Sequence, residues 1–474
     1  MKTHSVRVRG QDLLPLFPEH SSVTPDGELL IGGVGVAGLA ERFGTPAYIV
    51  DEAGLRNQAR RLRDGLASRH PNSEVVFASK SFPCLAAYQL FAAEGLAIDV
   101  AGAGELVMAL AANVPPERLY LHGNAKTTAE LTMALEAGVG TVVVDNFDDI
   151  DRLDHLTSQQ APAAGPQRVL VRIIPGISPD THESQSTGGD ESKFGLPADQ
   201  AREAIARIRA NSRLQLDGLH LHIGSQILAT EPFARATEVL GSIAALGTFD
   251  VYDIGGGLGV RYTLQDEAPT VEQYLDTITA AAAAYLPAGA RLVIEPGRSM
   301  VARSCVTLYR VTTVKHTGRT FVAVDGGMAD NLDVALTGQP FEAAIATRMA
   351  DPPDEVVDLV GRQCESGDRL VAGLAVPAPV VGDLVVTPVT GAYTYTLANN
   401  YNGALRPPIV FCRDGQARLV AERETHEHVL ALHRPARQDP IGVYEYPRDQ
   451  LYRAHIVGEV APDVAVTLTP RQVE

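Results

Sequence analysis

The fold class this sequence predicts is a (β/α)8, TIM-like barrel followed by an all-β domain, and three observations predict it. Between residues 75 and 295, short β-branched or apolar runs recur about every 22 residues. Helix-like stretches fall between successive runs. After Glu295 the helical periodicity fades and closely spaced strand-like runs take over.

The barrel runs are Val75–Ser79, Leu96–Val100, Leu119–Leu121, Thr141–Val144, Val169–Ile174, Leu219–Ile223, Val251–Ile254 and Leu292–Ile294. The helices between them read as Pro83–Glu94, Gly104–Ala112, Thr127–Ala137, Asp148–Ser158, Ala198–Ala210, Pro232–Leu246 and Glu272–Tyr285. Thr127 and Thr128, just ahead of Ala129, supply a cap signal. An open doubly wound sheet shares this alternation, but eight near-continuous units favour closure. Residues Gln160–Gln167 read as a barrel loop. Pro175–Lys193 is a longer polar loop of the kind that carries function or moves.

The later runs, Cys305–Lys315, Thr320–Val324, Val356–Leu359, Leu384–Thr387, Ile409–Cys412 and Ala417–Val420, define the β-sandwich or β-barrel domain. The Gly-rich first 45 residues add strands to it. The expected division is therefore 1–45 joining the β domain, 46–303 as barrel, 304–432 as β domain and 433–474 as a C-terminal extension. A chain of 474 residues has room for two to three such units.

Composition removes several function classes. The 40 Lys and Arg against 57 Asp and Glu leave a net charge of −17. A balance this acidic argues against a nucleic-acid or anionic-membrane partner, although one local nest still suffices for a small anion. No apolar run reaches the ~18 residues of a membrane span, and residues 1–30 carry no signal-peptide pattern. The four cysteines, Cys84, Cys305, Cys364 and Cys412, lie far apart without CxxC spacing. Neither a disulfide framework nor a structural metal site is expected, and the expected compartment is the cytoplasm.

In such barrels the active site forms at the C-terminal ends of the strands. The runs end in Lys80, Asp99, His122-Gly123-Asn124, Asp145, His222-Ile223-Gly224-Ser225, Gly255-Gly256-Gly257 and Glu295-Pro296-Gly297-Arg298. Only the fifth run, going into Pro175, lacks a polar or glycine-rich ending. Lys80, partly desolvated at a barrel mouth, is expected to lose proton affinity and to be able to form a Schiff base; a snorkelling surface lysine is the plainer alternative. Gly255–Gly257 lets backbone N–H groups point at an anion, where a plain turn is the alternative. An imine-forming lysine with a phosphate cradle suggests pyridoxal 5'-phosphate (PLP). Glu295 would hold its pyridine nitrogen protonated, and His222 could stack on its ring unless it is a hydrogen-bonded core histidine. Cys364 reads either as a small buried hydrophobe or, beside Glu365 and Asp368, as a proton donor.

These residues resemble the fold-type III PLP-dependent decarboxylases, and within them diaminopimelate decarboxylase. The resemblance runs from about Gly44 to about Leu430. It rests on FASKSF (77–82), DVAGAGEL (99–106), HGNAKT (122–127), SKFGL (192–196), GLHLHIGSQI (218–227), DIGGGLG (253–259), EPGRSMVA (295–302), VDGGMADN (324–331), CESGD (364–368), GAYTYTLANNYNG (391–403) and RET (423–425). It implies an amino-acid substrate and a head-to-tail homodimer with shared active sites. It also implies that Lys80 is the Schiff-base lysine and that His222 packs against the cofactor ring. Ser225, Gly255, Gly256, Gly257, Gly297, Arg298 and Tyr393 would lie at the phosphate, and Glu295 at the pyridine nitrogen. Cys364 would be the proton donor delivered by the second subunit, with Glu365 facing the distal amino group of the substrate. Arg298 and Tyr393 also border the substrate.

One segment departs from the family pattern. Where diaminopimelate decarboxylases place an Arg and a Tyr on the distal carboxylate of the substrate, this chain has Asp333 and Thr337. Replacing a guanidinium by a carboxylate turns attraction for an anion into repulsion. The expectation is an altered distal pocket for a cationic or masked end: a basic amino acid, or one linked as an amide or a carrier-protein thioester, with an acyl-carrier protein then a partner. The alternatives are meso-diaminopimelate decarboxylation, if Asp333 turns outward, and a non-catalytic PLP protein, which retention of both Lys80 and Cys364 disfavours. The stretch beyond about His433 has no counterpart in the family pattern.

Overall fold

The computed structural model describes residues 7–433 apart from 160–164, 181–186, 190–191, 244–246 and 248. The 433–474 extension beyond His433, and the central parts of both long loops, lie outside the described residues. Strands are numbered in chain order. Near the start, β1 (Ser21–Val23), β2 (Leu29–Ile31) and β3 (Val34–Gly35) form their own antiparallel sheet. It is tied to the β domain by the Leu29 N–H to Ala346 carbonyl bond of 2.8 Å. β4 (Ala47–Asp51) falls inside the stretch expected to be barrel, yet it pairs antiparallel with one C-terminal strand and parallel with another. It therefore stitches the two halves of the chain together.

The barrel consists of β5 (Ser73–Ala78), β6 (Ala97–Val100), β7 (Leu119–Leu121), β8 (Thr141–Val144), β9 (Gln167–Arg172), β10 (Leu214–His220), β11 (Val251–Asp253) and β12 (Arg291–Ile294). All pairs are parallel and the ring closes through β12 and β5. The expected capping at Thr127 is present: its hydroxyl accepts from the Glu130 N–H at 3.2 Å, and Glu130 accepts in return from the Thr127 N–H at 2.8 Å. The barrel interior alternates with the pleat. Val76, Ala97, Tyr120, Val143, Leu170, Val251 and Val293 form one buried layer. The one large shift from expectation is β10, which ends at His220 instead of running through Ile223. At Gly218 the β9–β10 register shifts, and an added Cβ there would lie 1.8 Å from the Val251 carbonyl. Leu221–Ile223 are thus released from the ladder to build the mouth.

The C-terminal sheet contains β13 (Cys305–His316), β14 (Thr320–Val324), β15 (Ala344–Ile345), β16 (Glu355–Val360), β17 (Arg369–Val376), β18 (Leu384–Thr387), β19 (Ile409–Arg413) and β20 (Gln416–Ala421). Its main path runs β17-β16-β14-β13-β4-β19-β20. Sequence reading missed β15 and β17. In β17 Gly373 sits at φ +69°, and the pairing with β16 shifts register twice, which breaks the alternation that marks a strand. One continuous hydrophobic core joins the barrel to the β domain.

Candidate active site

Lys80 sits in a single 3-10 turn, Ser79–Ser81, directly after β5. The turn is pinned by the Ser81 hydroxyl donating to the Ala78 carbonyl at 2.8 Å. The Tyr393 N–H donates to the Ser81 carbonyl at 2.9 Å, which brings a β-domain tyrosine, held at φ +61°, against the turn. Lys80 is exposed to solvent at the open mouth. Burial pulls the Lys80 pKa down, but Tyr393, Asp99 and Glu295 outweigh it and the net shift is upward. This corrects the expectation of lost proton affinity: the neighbouring anionic and phenolic groups win over desolvation.

Glu295 follows β12 and is buried. Its Oε1 lies 2.8 Å from His122 Nε2 and its Oε2 lies 3.3 Å from His220 Nε2. Burial pushes its pKa up, but the two imidazoles hold it well below the usual carboxylate range. Asp253, one strand away, moves the other way. Burial and the Glu295 charge push it well up, so of these two acids Glu295 is the ionised one. Asp99, at the end of β6, is raised to about 6 by burial.

His222 is held by the glycine loop. Its Nδ1 accepts from the Gly256 N–H at 3.1 Å, and burial, followed by Lys80 and Arg172, keeps the ring neutral. Asp253 accepts from the Gly255 N–H at 2.8 Å. Two of the three N–H groups expected to face an anion are therefore spent inside the protein. Among the described hydrogen bonds only the Gly257 N–H is uncommitted. The glycines serve close approach instead: a Cβ on Gly256 would lie 2.0 Å from the Glu295 carbonyl, and one on Gly257 2.4 Å from the Gly224 carbonyl.

Arg298 is buried and held from four sides. Its Nε donates to the Ser225 hydroxyl at 3.3 Å and its Nη1 to the Tyr262 hydroxyl. Its guanidinium stacks 4.7 Å above the Tyr393 ring. Its Nη1 lies 3.6 Å from Asp333 Oδ2. Asp333 is buried and does not turn outward. The Thr337 hydroxyl donates to Asp333 Oδ1 at 2.9 Å, so the two departing residues act on each other and on Arg298. Gly297 packs against Ala78 and Ser81, where a Cβ would come within 3.1 Å.

Cys364 and Glu365 are exposed on the loop between β16 and β17, so Cys364 is not a buried hydrophobe. The Cys364 N–H donates to Asn402 Oδ1 at 2.8 Å, and the Tyr401 hydroxyl donates to Glu365. Buried Asp368 accepts from the Met328 N–H at 2.7 Å and the Gln363 N–H at 2.8 Å, bolting this loop to the one that leads to Asp333. Sequence reading also passed over Arg172. The fifth strand does carry a polar ending: Arg172 closes β9, is buried, lies 3.8 Å from Asp145 and stacks 4.6 Å over Phe194. The run Ile173-Ile174-Pro175 hid it by extending the apolar signal past the true strand end.

Buried polar atoms without hydrogen-bond partners include Asp99 Oδ1, His122 Nε2, Asp253 Oδ2, Glu295 Oε1 and Asp333 Oδ2, the 2.8 Å His122–Glu295 approach lying outside hydrogen-bond geometry. The acceptor oxygens among them do not favour a phosphate. The donors that do are the uncommitted Gly257 N–H and the buried Arg298 guanidinium, and with Lys80 and the ionised Glu295 at the same mouth they suit PLP. Fold and mouth thus define a barrel-type PLP enzyme. Residues 53–302 match the family described as pyridoxal-dependent decarboxylase, pyridoxal binding domain. The chain is 45% identical over 417 residues to a diaminopimelate decarboxylase of Actinosynnema pretiosum subsp. auranticum, covering 85% of this chain and 92% of that one. It is 41% identical over 425 residues to that of Bacillus subtilis (strain 168), covering 86% and 96%. The solved diaminopimelate decarboxylase of M. jannaschii in co-complex with L-lysine superposes with a TM-score of 0.80 at 29% identity, over 88% of this chain and 98% of that one. The chain belongs to the pyridoxal-dependent decarboxylases, and it is similar to the diaminopimelate decarboxylases among them. It is a PLP-dependent carboxy-lyase of amino acids. No described helix is long and apolar enough to cross a membrane.

Proposed function

We propose that this enzyme decarboxylates an amino acid whose far end is cationic or uncharged, and that meso-diaminopimelate is a poor substrate. The observation that carries this reading is Asp333, buried 3.6 Å from Arg298 with Thr337 bonded to it. A carboxylate in that position already neutralises the guanidinium. A second, substrate carboxylate would meet a site with no cationic surplus, at a cost of a few kcal/mol. A basic amino acid, or one masked as an amide or as a thioester on an acyl-carrier protein, avoids that cost.

In this reading Lys80 would carry PLP, with His222 at its ring and Glu295 at its pyridine nitrogen. Ser225, Gly257, Gly297, Arg298 and Tyr393 would hold its phosphate, with Gly255 and Gly256 beside it as close-packed backbone whose N–H groups bond Asp253 and His222. Bound PLP supplies an electron sink for the pair left on Cα when CO2 departs. The chain's own residues do the rest. Lys80 Nζ exchanges protons with the incoming substrate amine. Glu295 keeps a fixed negative charge at the foot of the site, which needs no reorganisation during reaction. Cys364 Sγ donates the proton to Cα, and Glu365 meets a distal amino group. Because Cys364 and Glu365 are exposed on the β domain, a head-to-tail homodimer is the assembly that would deliver them to a barrel mouth. We take 46–303 and 304–432 as the working limits of the two units, with β4 lent to the second.

The second reading, meso-diaminopimelate decarboxylation, is supported by the 45% and 41% identity to relatives of that name. CO2 release over meso-diaminopimelate, ornithine, lysine, arginine, glutamate and its carrier-bound thioester separates the two. Efficient turnover of meso-diaminopimelate refutes the first reading, and preference for a cationic or masked substrate refutes the second.

A further inference from the structure

We propose that His122 and His220 are positioning residues that clamp both carboxylate oxygens of Glu295 from opposite sides of the barrel and so fix the face it turns toward the mouth. The inference rests on the reading of Glu295 as the partner of the pyridine nitrogen. His220 ends β10, two strands from β12 in the ring; His122 follows β7, three strands away in the other direction. His220 Nε2 hydrogen-bonds Oε2 at 3.3 Å, while His122 Nε2 approaches Oε1 to 2.8 Å as a close polar contact outside hydrogen-bond geometry, so the two imidazoles meet different oxygens in different ways. The two rings brace each other edge to face, with centroids 5.0 Å apart.

The surroundings explain why a clamp matters. Glu295 interacts electrostatically with Lys80, Asp99, Arg172, His222 and Asp253 as well as with the two histidines. An unheld carboxylate would be drawn toward Lys80 or Arg172 and repelled by Asp99. Burial lowers His220 to about 4, so its ring is neutral near pH 7 and must carry its proton on Nε2 to donate to Glu295. His222 is spent on Gly256 and cannot substitute. The competing account of the same geometry is a metal ion, since the donor atoms of His122, His220 and Glu295 lie within 4.8 Å of one another.

The test compares His220→Gln, whose amide N–H replaces the Nε2 donor, with His220→Leu and His220→Asn, which lack a donor there. Glu295→Gln is the control. Each is read as holoenzyme for kcat, KM, PLP affinity, melting temperature, metal content and the pH at which the visible band changes. The Leu and Asn forms should lose on the order of 10 to 100-fold in kcat, with KM little changed, and should move the pH of the spectral change. The Gln form should recover most of both. If the Leu form does not fold, the Asn–Gln contrast decides. Wild-type kcat and spectra in the Leu or Asn form, beside an altered Glu295→Gln, overturn the clamp alone. Equal losses in the Gln and Asn forms make the role structural and overturn it too. One equivalent of a divalent metal in the wild type overturns the clamp as well. An unaltered Glu295→Gln overturns the Glu295 reading and takes the clamp with it.

Discussion

Asp333→Asn isolates the charge that separates the two substrate readings. The asparagine keeps the shape and an oxygen for the Thr337 hydroxyl, which now sits 2.9 Å from Oδ1. It removes the negative charge 3.6 Å from Arg298 Nη1. At an effective dielectric of about 20, two unit charges at that distance attract by ~5 kcal/mol. Desolvation consumes part of this, and close charge pairs retain roughly 1.5–7 kcal/mol as coupling. Taking ~3 kcal/mol as transferable to a substrate carboxylate, kcat/KM for meso-diaminopimelate relative to the best cationic substrate should rise on the order of 10²-fold. The assay is CO2 release from both substrates, with PLP affinity measured beside it because Arg298 also contacts Ser225 and Tyr393. A ratio that stays within about threefold of wild type, with cofactor affinity intact, would refute the argument that Asp333 sets the distal preference.

The same geometry leads to three further outcomes. The purified wild type should be yellow, and Lys80→Ala should lose the visible band and nearly all turnover; borohydride reduction that marks another lysine, such as Lys126, would contradict the assignment. Mixing Lys80→Ala with Cys364→Ala subunits should restore roughly a quarter of wild-type activity under random assembly, through the one intact composite site of each heterodimer; verified heterodimers without activity would confine each site to one chain. Asp330 is buried and raised to about 7, so between about pH 4 and 7 the folded chain binds a proton there that the unfolded chain has lost. Stability should fall as pH rises through that window, by about 4 kcal/mol from this group, and Asp330→Asn should flatten the fall in denaturant titrations whatever its constant offset; an unchanged slope would place the titration elsewhere.

Much of the site was legible because the barrel makes one rule sufficient: a residue just past the end of a strand faces the mouth. Lys80, His122, Asp145, Gly255 and Glu295 all obey it, while Asp99 lies one residue inside the end of β6. The misses have local causes. Arg172 was masked by the apolar residues after it. His220 and His222 share a face by the two-residue period of an extended chain, so one implied the other, but His220 was absorbed into a strand interior. Asp333 and Thr337 were found only through resemblance, and Tyr393 stood out in its own segment but took a role only through it, because all three approach the mouth from the β domain and no periodicity in the barrel segment announces them. The direction of the Lys80 shift depends on Tyr393, which lies more than three hundred residues away in the chain.

His220 and His222 show how the fold sets ionisation by hydrogen-bond polarity as well as by charge. His222 accepts at Nδ1 from the Gly256 N–H, so a neutral His222 carries its proton on Nε2. His220 meets a carboxylate at Nε2, so its single proton also belongs there. Both rings thus have the same tautomer for opposite reasons, one imposed by a donor and one by an acceptor. The Gly256 N–H that fixes His222 belongs to a residue packed against the Glu295 carbonyl, which an added Cβ would meet at 2.0 Å. The same glycine therefore sets the ring that would face the cofactor and the backbone of the acid beneath it. A side chain at Gly256 would disturb both at once, which is why the loop requires glycine there even though that N–H is spent on an imidazole and not on an anion.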